Sequence, residues 1–191
     1  MNHPCCLFGS SSYGEIVIVA GVNDKSGHLL KSTELYHSKL GAWKSLPVMN
    51  LPHIMCSGFF MDGKYYVIGG ISGLAERWRR SPPLIAVVNN QRYAADLTTN
   101  EVNKYDKSNN TWNFVKRLPV RDDSNNKWGL AFKACGDKLL VVGGHRRTDG
   151  EVIVLHSWRP EDGNGEGPEW DVLSIRERAG GFVYNCAVMG C

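Results

Sequence analysis

Lys138-Leu139-Leu140-Val141-Val142-Gly143-Gly144 is an apolar run closed by two glycines, with the turn pair Gly136-Asp137 starting seven residues before the first of them. The pattern recurs at Lys64-Tyr65-Tyr66-Val67-Ile68-Gly69-Gly70 behind Asp62-Gly63, and from Ile16 to Ala20-Gly21 behind Tyr13-Gly14. An apolar run this short, bounded by turn residues, reads as a strand, and the turn pair before it as the link from a preceding strand. Self-similarity at a period of roughly 40–50 residues marks propeller blades or repeat arrays, whose units bury their apolar faces only against neighbours.

A second recurring pair follows the glycines. Tyr36 precedes Trp43, and Tyr105 precedes Trp112, each by seven residues. Ser38-Lys39-Leu40-Gly41 and Lys107-Ser108-Asn109-Asn110 read as the turns between them, and Leu46-Pro47 and Leu118-Pro119 as strand ends. Each complete unit is thus expected to be four antiparallel strands, the second stopping at its glycines. The fold class is all-β, a β-propeller. Gly21, Gly69, Gly70, Gly143 and Gly144 are needed for backbone freedom and close approach, while Tyr36, Trp43, Tyr105, Trp112 and Trp170 supply packing between blades. None of these residues needs a catalytic explanation.

The bulk figures bound the rest. The 191 residues carry 22 basic and 19 acidic side chains, a net charge of +3 that argues against a dedicated nucleic-acid partner. No stretch is apolar and long enough to predict a membrane span, and the N-terminus lacks the order of a signal peptide. With no export signal, the six cysteines are expected to be reduced thiols. The histidines are scattered among the repeats, and neither a metal-ligand spacing nor a nucleophile–base pattern emerges, so no catalytic residue, metal or cofactor is expected.

Taken together, glycine pair, Glu-x-Tyr and Trp resemble the kelch repeat. Longer blocks narrow the resemblance to the plant F-box/kelch-repeat proteins, including the SKP1-interacting-partner type: Met49 to Pro52, Met55 through Lys64, Ala86 to Asp96, Trp128 to Gly136, and Phe182 to Cys191. The resemblance implies a kelch-type propeller that captures a protein substrate, while an F-box, expected to be absent from this stretch, docks on SKP1 of a ubiquitin ligase. SKP1 binding is accordingly not expected of this chain. A nuclear or cytoplasmic location is.

Against that pattern the repeat is incomplete. The expected division is a blade at 1–48, a half blade at 49–73, a loop at 74–83 with two strands missing, blades at 84–120 and 121–176 (with an insertion at 159–168), and a closing strand at 177–191. Ten or so residues between half blade and next blade hold one crossing and a turn, not two strands. Open edges predict self-association or dependence on a partner. Partner binding is expected in loops of one face, at Arg77, Trp78, Arg79, Arg80, His145, Arg146 and Arg147, with His53, Arg121 and Asp122 beside them; Arg and Trp are enriched at binding hot spots. Two other readings remain open: a small-molecule or metal-dependent propeller enzyme, and a truncated product without independent function.

Overall fold

Hairpins with strict turn chemistry build every sheet. The computed structural model describes residues 8–23, 26, 28–71, 83–119, 130–147, 150–160, 169–177 and 183. Asp62-Gly63 and Asn89-Asn90 both adopt positive φ, as a type I′ turn requires, while Gly14 and Gly136 carry positive φ at the first central position. The four-residue turns ending at Gly41, Asn100 and Asn110 each place that last residue in the left-handed region.

The chain divides into two compact units, residues 1–83 with 187–191, and residues 84–186. In the first, β1 (Gly9–Tyr13), β2 (Ile16–Asn23), β3 (Leu29–His37) and β4 (Ala42–Leu46) form an antiparallel sheet in chain order. Beside it lies the hairpin of β5 (Ile54–Met61) and β6 (Lys64–Ile71). Among the described residues β6 pairs with β5 alone. Close packing of β1 on β5 needs small residues: a methyl group at Gly9 would stand 3.0 Å from the Cys56 carbonyl oxygen and the Gly58 nitrogen.

The second unit holds two four-stranded sheets. One is β7 (Leu84–Val88), β8 (Gln91–Asp96), β9 (Glu101–Asp106) and β10 (Thr111–Arg117); the other is β11 (Leu130–Cys135), β12 (Lys138–Arg147), β13 (Gly150–Trp158) and β14 (Asp171–Glu177). Alternation along the strands sends Ala86, Val88, Tyr93, Ala95 and Val102 from the first sheet and Phe132, Leu139, Val141 and Trp158 from the second into one core.

Two expectations need correction. The glycine pairs do not end their strands: β2, β6 and β12 run on to Asn23, Ile71 and Arg147. In β12 the ladder with β13 continues to Arg147 opposite Gly150, so Gly143 and Gly144 pair with Val154 and Ile153 in unbroken register. Among the glycine pairs, a register shift is seen at Gly21, between Ala20 and Val22, with φ at 73°. The aromatic pair of the last sheet is Trp158 with Trp170, centroids 5.7 Å apart, so Trp158 stands where Tyr36 and Tyr105 stand in the others. And the cysteines are not uniformly reduced: Cys56 is a buried free thiol, whereas half-buried Cys135, at the end of β11, is disulfide-bonded. The expected insertion beyond Pro160 and the closing strand, Val183 excepted, lie outside the described residues.

Candidate functional site

Of the residues expected to bind a partner, Arg77, Trp78, Arg79, Arg80, Arg121 and Asp122 lie outside the described residues. His145, Arg146 and Arg147 occupy the end of β12, opposite Val152, Glu151 and Gly150, rather than a free loop. Their placement follows from the ladder just described, because β13 offers backbone partners beyond the glycines. His53 is half-buried. Its carbonyl oxygen would stand 2.4 Å from a methyl group at Gly21, so the segment before β5 lies directly on β2. Its Nδ1 is buried without a hydrogen-bond partner. Lys31 holds the neighbouring loop to β3: its Nζ donates to the Asn50 carbonyl at 2.9 Å, and its own carbonyl accepts from the Met49 N–H at 2.9 Å.

The inner strands of the first unit carry small polar groups under one phenol. Tyr65 on β6 donates toward the carbonyls of Gly9 at 3.3 Å and Ile18 at 3.4 Å. Its ring stands over Gly58, where a methyl group would meet the hydroxyl at 2.1 Å. Burial, and secondarily the neighbouring Cys56, push the phenol's pKa up, so Tyr65 stays a neutral donor. Cys56 points its sulfur at the Ala20 carbonyl, 3.6 Å away. Ser57 donates to the Pro83 carbonyl. These contacts tie strands together.

The aromatic pairs behave as the spacing suggests. Tyr36 and Trp43 are cross-strand partners with centroids 5.1 Å apart, and Tyr105 and Trp112 repeat the arrangement at 5.2 Å. Trp170 donates its indole N–H to the Arg117 carbonyl at 2.8 Å and so joins the two sheets of the second unit. Lys116 lies over the Trp158 ring at 5.6 Å, and Arg92 over the Tyr105 ring at 3.8 Å. Sequence reading missed Arg92 and Trp158. A pairing register counted back from Trp112 through Tyr105 would have found the arginine, whereas the insertion before Trp170 hides the seven-residue interval that would have found Trp158.

A turn beside this aromatic pair is fixed by one carboxylate. Asp106 accepts from the Ser108 N–H at 2.8 Å, the Ser108 hydroxyl at 2.5 Å and the Asn109 amide at 2.8 Å. These bonds, the Ser108 hydroxyl first, hold its pKa below the usual carboxylate value. Tyr105 donates across the same turn to the Asn110 side chain at 2.6 Å.

Comparison with known proteins follows the same lines. No family model matches the chain. The chain is 47% identical over 226 residues to the F-box/kelch-repeat protein SKIP11 of Arabidopsis thaliana, covering all of the chain and 48% of that protein. Two further F-box/kelch-repeat proteins of Arabidopsis thaliana are 43% and 42% identical, again over the whole chain, covering 53% and 51% of theirs. The chain thus spans about half the length of the curated relatives it matches. Among solved structures, that of YjhT, a kelch β-propeller, superimposes with a TM-score of 0.59 at 14% identity, covering 94% of the chain and 67% of YjhT, which bears on the fold alone. With blades of this order and relatives of this closeness, the chain is related along its whole length to plant F-box/kelch-repeat proteins and carries a kelch propeller fold, seen among the described residues as three four-stranded blades and a two-stranded one.

Proposed function

We propose that this chain is the substrate-capturing part of an F-box/kelch subunit of an SCF-type ubiquitin ligase, a binding module and not an enzyme. The observation that carries the reading is the match of the whole chain, at more than 40% identity, to three F-box/kelch-repeat proteins. Within each four-stranded sheet the strands form a hydrogen-bonded frame that carries loops at its ends, which suits such work. The partner is a protein, taken by Arg77 to Arg80, by Arg121-Asp122 and by His145 to Arg147. SKP1 is not bound by these 191 residues alone, and the work is done in the nucleus or cytoplasm.

The test is affinity capture from plant extract with the chain and with a variant in which Arg77, Arg79 and Arg80 are all alanine. A protein retained by the first, lost by the second and accumulating when the ligase is inhibited is the expected result. Capture indifferent to the loop substitutions, or direct binding of purified SKP1 to the chain, contradicts the corresponding part of the reading.

A further inference from the structure

In two of the complete sheets the chain that leaves the fourth strand is tied back to the third strand or to the turn leading into it. After β4 the Met49 N–H donates to the Lys31 carbonyl and Lys31 Nζ to the Asn50 carbonyl, both at 2.9 Å. After β10 the Leu118 N–H donates at 3.0 Å to the carbonyl of Asn100, in the turn between β8 and β9. The hairpin of β5 and β6 has no third strand among the described residues, and β7 begins at Leu84.

There the returning chain is tied to the hairpin itself. The Ser57 hydroxyl on β5 donates to the Pro83 carbonyl. The Pro83 ring lies so close over Gly69 of β6 that a methyl group at Gly69 would overlap it. Gly69 also carries a φ of 66°, so backbone shape and packing both favour glycine at that position. Ser57 is buried, and the Pro83 carbonyl supplies the partner that a buried hydroxyl needs. Proline, with its φ already fixed, loses little freedom when it is held in this way. All three residues belong to the first unit.

Residues 72–82, which include Arg77, Arg79 and Arg80, connect β6 to this anchor. We infer that Ser57, Gly69 and Pro83 are positioning residues for that segment, holding its C-terminal end on the hairpin from which it starts. An end held in place leaves the segment fewer arrangements in the free protein, so less ordering remains to be done when a partner binds. This consequence for binding rests on the role proposed above for Arg77 to Arg80; the anchor itself does not.

The test uses trypsin on the full chain, with the products identified by mass spectrometry. The quantity read is the rate of cleavage after Arg77, Arg79 or Arg80 relative to that after Lys39, an exposed residue of the β3–β4 turn in the same unit. Cleavage tracks the population of the open segment when reclosing is fast. Ser57→Ala should therefore raise the ratio about five-fold, the effect of one hydrogen bond. Ser57→Thr keeps the hydroxyl and should restore the original ratio. Pro83→Ala removes the ring, should also raise the ratio, and serves if Ser57→Ala fails to fold. A ratio unmoved by the alanine variants, a threonine variant that behaves like alanine, or cleavage at Lys39 rising in step (a general loosening of the unit) overturns the positioning role. Capture indifferent to the three arginines, with a ratio that still responds to Ser57, refutes the binding role and upholds the anchor, so the two failures are distinguishable.

Discussion

Gly21 answers for more than its size. It sits at the register shift of β2 with φ at 73°, and an added methyl group would stand 2.4 Å from the His53 carbonyl oxygen and 2.6 Å from the Cys56 sulfur. Gly14 has a similar φ of 56° with nothing within 4 Å. Gly14→Ala should therefore lose only the left-handed penalty, about 1–2 kcal/mol, while Gly21→Ala adds overpacking and should lose about 2–4 kcal/mol. Urea midpoints of the two variants check this, and equal losses refute the packing account. At the β9–β10 turn the relevant quantity is a titration. Asp106 has a depressed pKa in the folded state, so its turn bonds contribute above the unfolded value, about 4, and are lost as pH falls through the folded value. Ser108→Ala removes the largest cause and should bring the Asp106 carboxyl back up toward its ordinary range. Carbon-detected titration of the side chain measures it, and an unmoved pKa rejects the assignment.

Strands explain why some features were legible in the sequence and others not. The seven-residue Tyr-to-Trp interval locates the third and fourth strands wherever a four-residue turn joins them, as at Lys107–Asn110. It fails between Trp158 and Trp170, where a longer connection replaces the turn. The glycine pairs locate second strands but not their ends, because a ladder stops where its partner stops, and β13 goes on pairing to Gly150. Arg92 was invisible for a different reason: a basic residue next to a tight turn looks like surface charge until register assigns its face. Trp170 carries the prediction proper to this scale. Trp170→Phe keeps a ring against Trp158 but abandons the Arg117 carbonyl, so a loss of about 1–2 kcal/mol is expected. Thermal unfolding of that variant beside Trp43→Phe checks it, and a smaller loss at Trp170 counts against the bond.

The chain divides into two units, and their described residues are unequally provided. Among them the second has two four-stranded sheets closing over one core; the first has a four-stranded sheet and a hairpin. Less buried apolar surface means an earlier transition, so Cys56 should become open to a thiol reagent at lower urea than the burial of Trp158 is lost. Coincident curves contradict this. The paired indoles supply the optical means to read it. Trp158 and Trp170, 5.7 Å apart and inclined by 49°, are close enough for their transition dipoles to couple, giving oppositely signed bands in circular dichroism. Tyrosine–tryptophan pairs lack matched transition energies and give no such couplet. A spectrum of the intact protein thus contains a natural reporter on the junction of β13 and β14, one that needs no label and vanishes when that single edge separates.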